Sequence, residues 1–374
     1  MKTRNLTVYL RWGAALLLPA ALILLFELLK GSQARMGWWV DHVMAPVEQY
    51  LGRIWSVFPM LSVAEVLTAL VLILGVVWLV RAVVLLIRKR EGALFARRLL
   101  AMLGVVLWIW AGVCWMWNAA YYAPSFTQRS GLDVQPYSVE TLEEVTALFA
   151  RKAAEYSTQV QRDQDGLFAE DRESIFSQGV SVYDNLKKEF PFLKVEISGI
   201  EGDVSTPRAK PLFFSRLQSI LGFTGVYFPF TGEANVNVDA PSCLLPATIA
   251  HEMAHQRMVA AEQEANFVGI AAAVTSGDPV FQYSGYLFGL VQLCNALAPV
   301  DRDAWNTIVQ QYFTQEMAND WNANNAYWAE LSSPVEETAE QVYDSFLKGN
   351  DQELGIRSYG ACVDLLVAYF GNNA

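Results

Sequence analysis

The sequence predicts two parts in one chain: three membrane-spanning helices first, then a mainly helical α+β domain with a small sheet or hairpin. Three observations carry that reading. Apolar residues make up 53% of the 374 positions, and the surplus is concentrated near the start. Charge changes sign at the same place: residues 1–120 hold 12 Lys and Arg against 5 Asp and Glu, and the remainder holds 15 against 33. Beyond that point, continuous apolar runs give way to amphipathic repeats.

The three runs are Leu10–Leu29, Val66–Ile87 and Leu99–Ala120. Each is long enough to cross a hydrocarbon core of about 30 Å. Glu27 lies near one end of the first run, and Arg81 can snorkel out of the second. Trp108, Trp110, Trp115, Trp117, Tyr121 and Tyr122 weight the third toward an interface. Lys2, Arg4 and Arg11 precede the first run, and Arg88, Lys89, Arg90, Arg97 and Arg98 join the second to the third. Positive residues stay inside, so both segments are expected in the cytoplasm. The anchor is then residues 1–122, with an extracytoplasmic loop over 31–62, and the outside domain is residues 123–374. Loop 31–62 reads as a partly amphipathic interfacial helix with Trp38, Trp39, Tyr50 and Trp55, and His42 there is read as interfacial. Cleavage after Ser32-Gln33-Ala34 would make the first run a signal peptide and leave the later topology unchanged.

An acidic domain behind a basic anchor excludes nucleic acid as the expected partner and leaves the bilayer as one. Of the outside cysteines Cys243, Cys294 and Cys362, the pairing considered is Cys294–Cys362.

Within the domain, Thr141 with Glu144 forms a capping-box pattern that opens a helix to about Val160. Phe176–Lys188 reads as a second helix, and Lys194–Gly199 as a short strand. Gly222–Asp239 carries β-prone Val226-Tyr227-Phe228, a Thr231-Gly232 turn signal and alternation over Ala234–Val238, which is a hairpin pattern. Pro246 suits the start of a helix over Ala247–Met258. Further helices are expected over about 301–318, 334–348 and 356–370.

The chain has 3 histidines, and two of them, His251 and His255, flank Glu252. Residues four apart share a helix face, so both imidazoles can meet one ion. Glu252 is turned about 100° from His251, which places its carboxylate beside the ion, where it can take a proton from metal-bound water. A third ligand must come after a bend within Gln256–Ala261. Glu262 is favoured and Glu264 is the alternative; Asn266 shares a face with Glu262 and can hold a ligand histidine by its free nitrogen. Tyr227, Phe228, Glu233, Ala234 and Asn235 form a candidate substrate edge, with a purely structural hairpin as the competing reading. Tyr283, Tyr286, Arg357 and Tyr359 are candidates for stabilising an oxyanion.

His251-Glu252-Met253-Ala254-His255 followed by Glu262-Gln263-Glu264-Ala265-Asn266 resembles the gluzincin metallopeptidases. In that pattern the first glutamate is the ligand and the residue after Ala is a supporting one, which implies those roles for Glu262 and Asn266. The chain is similar over most of its length to the bacterial family of unknown function called DUF3810. Three N-terminal spans, Gly225–Asn235 and His251–Phe267 carry that resemblance. One departure is Met258, which stands where a glycine is expected to ease the bend. The resemblance implies a gluzincin-like zinc metallopeptidase domain in a bacterial cell membrane. The expected function is zinc-dependent hydrolysis of a peptide or protein substrate outside the membrane, with Glu252 as general base. The alternative is a non-catalytic zinc-binding envelope scaffold or sensor.

Overall fold

The computed structural model describes residues 12–194, 207–352 and 362–371. These residues are mostly helical, with one small mixed sheet. The chain forms two compact units, Met1–Met44 with Val63–Ala123, and Ala45–Ser62 with Pro124–Ala374.

Among the described residues, two helices of the first unit, where three were expected, are long and apolar enough to cross a bilayer: Val63–Arg88, with 26 residues, and Gly92–Tyr121, with 30. The first expected span begins at Leu10, outside the described residues. Its described part is the shorter apolar helix Gly13–Leu29. At about 1.5 Å per residue that helix is short of a hydrocarbon core of about 30 Å. It crosses Gly92–Tyr121 closely, because Gly104 puts no side chain in the gap; a Cβ there would lie 2.9 Å from the Ala15 carbonyl. Trp115 bridges the same unit, donating its Nε1 hydrogen to Leu22 and accepting one from Trp39 at its carbonyl. Large apolar side chains on Val63–Arg88 are exposed, Leu72 to 64% and Val76 to 61%, as expected of a surface whose solvent is lipid.

Residues 45–62 differ from their reading as part of the anchor. The helix Ala45–Trp55 packs within the second unit. Its Glu48 is fully buried and accepts a hydrogen bond from Tyr227, and its Gln49 donates to the Gln256 carbonyl. Residues 45–62 are therefore part of the folded domain, while residues 31–44 stay with the first unit.

The core of the second unit gathers around Val139–Ser157, Leu245–His255, Glu262–Thr275 and Pro279–Leu297. Val139–Ser157 starts earlier than the capping-box pattern implied: Ser138 is the cap, accepting from the Thr141 amide at 3.2 Å. Val145, Phe149, Ala150 and Ala153 of that helix are fully buried, at the i, i+4, i+5 and i+8 spacing of one face. Gly289 admits the Phe149 ring, since a Cβ there would lie 2.4 Å from it.

The expected helix Phe176–Lys188 is broken into Arg172–Gln178, a 3-10 turn and Leu186–Glu189. The expected 301–318 helix is divided into Arg302–Tyr312 and Gln315–Leu331, the second capped by Thr314. Pro334–Gly349 opens with a Ser333–Glu336 capping box. Cys362–Phe370 is helical, while residues 356–361 of that expected helix and 195–199 of the expected strand lie outside the described residues. All four cysteines are free and buried, so the Cys294–Cys362 pairing is not made.

The hairpin forms as read. Strand β1 is Lys210–Pro211, β2 is Gly225–Phe228 and β3 is Glu233–Val236, in the order β1-β3-β2. β2 pairs antiparallel with β3, with Tyr227 opposite Ala234, and β1 pairs parallel with β3.

Candidate metal centre

The helix Leu245–His255 starts with Pro246 in its first turn, where the missing amide costs nothing. It ends in a tight reversal. Met258 is left-handed, at φ 63°. The Val259 amide bonds Ala254 at 3.2 Å and the Met258 amide bonds His255 at 3.0 Å, which is the paired closure of a Schellman motif. The bend expected within Gln256–Ala261 is therefore present, with methionine at the position where glycine was expected. The reversal also sets one ligand: it brings the Val259 carbonyl to 2.7 Å from His255 Nδ1. That bond fixes the His255 ring and leaves Nε2 for an ion.

The next helix, Glu262–Thr275, returns against the first. Gly269 permits the contact, because a Cβ there would stand 2.8 Å from the His251 backbone. The return brings Glu262 to the histidines. Glu262 Oε2 is 3.4 Å from His251 Nε2, and Oε1 is 3.9 Å from His255 Nε2. His251, His255 and Glu262 offer ligand atoms within 4.8 Å of one another and form a buried group that could hold a metal ion. Bonds of about 2.0–2.1 Å in tetrahedral geometry place neighbouring donors about 3.3 Å apart. The two Glu262 edges, 3.4 and 3.9 Å, are close to that spacing, and all three ligand atoms lie within 4.8 Å of one another, so a small closure of the group around an ion completes the fit.

Electrostatics follow from burial and from these contacts. Burial opposes ionisation of Glu262, but the hydrogen bond with His251, the charges of both histidines and the Tyr343 hydroxyl outweigh it, and its pKa falls to about 2. For His251, burial works against the proton, but Glu262 and Glu252 together raise its pKa. Burial takes His255 down to about 4. Glu252 is 3% exposed and burial pushes it up to about 8. Its Oε2 has no hydrogen-bond partner among the described residues. Space for this carboxylate comes from Gly225 on β2, where a Cβ would lie 2.4 Å from Glu252 Oε1.

The other sequence-designated residues divide clearly. Glu264, the alternative ligand, is engaged elsewhere: it accepts from the Phe126 amide at 2.7 Å and from the Thr127 amide and hydroxyl at 2.9 and 2.7 Å. Asn266 is a neighbour of His251 and supports its protonated form. Of the substrate-edge residues, Glu233, Ala234 and Asn235 lie on β3, the central strand, and are at most 1% exposed. Glu233 pairs with buried Lys210, and the Asn235 amide bonds Val226 and Glu233 carbonyls. β3 is paired on both sides, so it is no edge. Among the described residues β2 is the outer strand of the hairpin, with β1 at the opposite edge of the sheet, and it carries Tyr227, buried against Glu48, and Phe228, half-buried.

Tyr283 is fully buried and donates to Asp320, which also pairs with Arg162 at 2.9 Å. Tyr286 stacks on Tyr156 at 5.9 Å. Both are engaged in the core, Tyr283 through Asp320 and Tyr286 against Phe149 and Tyr156. Arg357 and Tyr359 lie outside the described residues. One site residue was missed: Tyr343, on Pro334–Gly349, donates its hydroxyl hydrogen to Glu262 Oε1. Its separation of 81 residues from Glu262 leaves no local spacing signal for it.

No curated protein and no solved structure matches the chain. A family model described as "Protein of unknown function (DUF3810)" matches residues 40–367, a stretch that includes Ala45–Trp55, the hairpin and both helices of the metal centre. The chain belongs to the DUF3810 family.

Proposed function

We propose that this protein is a zinc-dependent peptidase anchored in a bacterial membrane through Val63–Arg88 and Gly92–Tyr121, with the basic link between them cytoplasmic and residues 123–374 outside. The observation that carries the proposal is Glu252, a buried carboxylate beside the His251–His255–Glu262 group, with one oxygen uncommitted. A purely structural metal site has no use for that carboxylate.

His251 and His255 through Nε2, with Glu262, would hold the zinc. When bound, zinc acidifies its water ligand to a pKa of about 7 and polarises a carbonyl oxygen. Glu252 is the group that takes a proton and returns it to the leaving amine. Its high proton affinity in a buried setting suits the return step, and a nearby cation favours the ionised form needed first. Gly225 holds the carboxylate against β2, and the open side of β2 offers main-chain groups to an extended peptide. Val259 fixes the His255 ring, and Tyr343 holds Glu262.

Replacing Glu252 by Gln preserves shape and removes the base. The full chain in detergent, loaded with zinc, is incubated with a mixed peptide library and products are counted by mass spectrometry. Glu252→Gln is expected to keep about one zinc per chain and to lose about 10²- to 10⁴-fold in turnover. Cleavage by this variant at the wild-type rate would sink the mechanism. His251→Ala and Glu262→Ala should lose zinc, and Glu264→Ala should keep it; zinc loss confined to Glu264→Ala would overturn the ligand set.

A further inference from the structure

A cleft of about 310 Å³ opens beside the metal centre, with His251 and Asn266 among its lining residues. Thr224 also lines it. That residue immediately precedes Gly225, which packs on the Glu252 carboxylate. The outer strand β2 therefore leads from the proton-transfer group to the rim of the cleft. A peptide extended along β2 would pass one side chain over it.

Besides the apolar Ala240, Pro241, Leu244, Leu245 and Phe288, the wall carries uncharged polar side chains. Thr224, Thr248, Asn266, Gln292 and Asn324 supply hydroxyls and amides, and Trp328 supplies an indole. They come from the approach to β2 and from four different helices, so no single amphipathic face produces the cluster. No Asp, Glu, Lys or Arg lines the cleft among the described residues. Asn266 is 1% exposed, and its Nδ2 is a buried donor with no hydrogen-bond partner among the described residues. A buried donor of that kind favours an incoming acceptor. An ammonium group in this cleft would lose hydration and meet no Asp or Glu on the wall, and a carboxylate would meet no Lys or Arg and only a His251 already committed to the metal, whereas a neutral amide or hydroxyl would exchange water for paired groups. This neutrality stands out in a region where Asp and Glu outnumber Lys and Arg by 33 to 15.

We infer that the cleft is a side-chain subsite selecting an uncharged, hydrogen-bonding residue, such as glutamine or asparagine, next to the bond that is cut. The inference rests on the peptidase reading above. The volume admits a side chain of that length with an ordered water, at the low end of ligand-site sizes.

The test uses the full zinc-loaded chain and three metal-directed probes: acetohydroxamate, N-acetylglutamine hydroxamate and N-acetylglutamate hydroxamate. The last two differ in one group, amide against carboxylate. Dissociation constants are read by calorimetry. The glutamine probe should bind at least about tenfold more tightly than the glutamate probe, the discrimination expected for an unpaired buried charge. Asn324→Asp, which places an anion on the wall, should raise the affinity of N-acetyllysine hydroxamate by about tenfold. Equal affinities for the glutamine and glutamate probes, with acetohydroxamate bound, would overturn the subsite and leave the metal reading standing. Failure of acetohydroxamate to bind the zinc-loaded chain would overturn the peptidase reading and the subsite with it.

Discussion

Two chain reversals hold the metal centre, and both pass through left-handed backbone: Gly232 at φ 66° between β2 and β3, and Met258 at φ 63° after the histidine helix. They use opposite residues. At Gly232 a Cβ would lie 1.9 Å from the Glu48 carbonyl and 2.9 Å from the Gly52 amide, so the helix Ala45–Trp55 leaves room for glycine alone. At Met258 the side chain is half-buried and accommodated. The left-handed conformation costs a non-glycine residue about 1–2 kcal/mol, and the two Schellman hydrogen bonds offset it. What demands glycine is the neighbour, more than the turn. The reversals are also joined, because Gln256 Nε2 donates to the Gly232 carbonyl at 3.2 Å and Gln49 donates to the Gln256 carbonyl.

The sharpest way to break this comparison is Gly232→Ala. The added methyl meets the Glu48 carbonyl and the Gly52 amide, both backbone, and no rotamer relieves it. Crowding and left-handed strain together should cost about 3 kcal/mol or more. Gly131→Ala is the control: φ is 69° there, and nothing lies within 4 Å of the added atom. It should cost about 1 kcal/mol. Denaturant unfolding of both variants decides the matter. Equal losses would show that the turn, and not the helix Ala45–Trp55, imposes the glycine.

A smaller effect is expected at Tyr343, which reaches Glu262 from Pro334–Gly349. Tyr343→Phe keeps the ring and removes one hydrogen bond to the carboxylate that faces both histidines. Metal affinity should fall about 10- to 100-fold, the usual consequence of losing such support, with little change in unfolding stability. Affinity in wild type should also fall as pH drops, because the proton favoured on His251 competes with the ion. Competition with a chelating dye measures both effects. Unchanged affinity in Tyr343→Phe would reduce that contact to packing.

What the sequence disclosed follows the reach of each interaction. His251, Glu252 and His255 share one helix, so spacing alone reveals them. Glu262 is seven positions beyond His255, within range of a single bend, and the choice between it and Glu264 followed from the face shared with Asn266. Glu264 shows what spacing omits: its three partners are at Phe126 and Thr127, 137 or 138 residues away. Tyr343 and Glu48 are equally remote in sequence, and only packing brings them in. The hairpin was legible from alternation, but its outer strand was not, because the pairing of two-residue β1 with β3 buries Glu233, Ala234 and Asn235. Apolar content announced the long helices Val63–Arg88 and Gly92–Tyr121, while Ala45–Trp55 was assigned to an interface because its tertiary partners lie far along the chain.

The smallest effect, and the one that sharpens the comparison most, is expected at Met258→Gly. Glycine removes the left-handed penalty of about 1–2 kcal/mol and adds about 0.5–1 kcal/mol of unfolded-chain entropy to be lost on folding. The lost packing of a half-buried side chain takes back part of the gain. The net change should be a stabilisation of about 1 kcal/mol or less, visible as a small rise in melting temperature. Metal affinity should stay at the wild-type value, since the Val259 carbonyl that holds His255 Nδ1 is delivered by the backbone, whatever side chain occupies position 258. Weakened metal binding in this variant would mean that the methionine side chain holds the bend. Position 258 would then differ from Gly232 in kind: one reversal held from inside by its own side chain, the other from outside by the helix Ala45–Trp55.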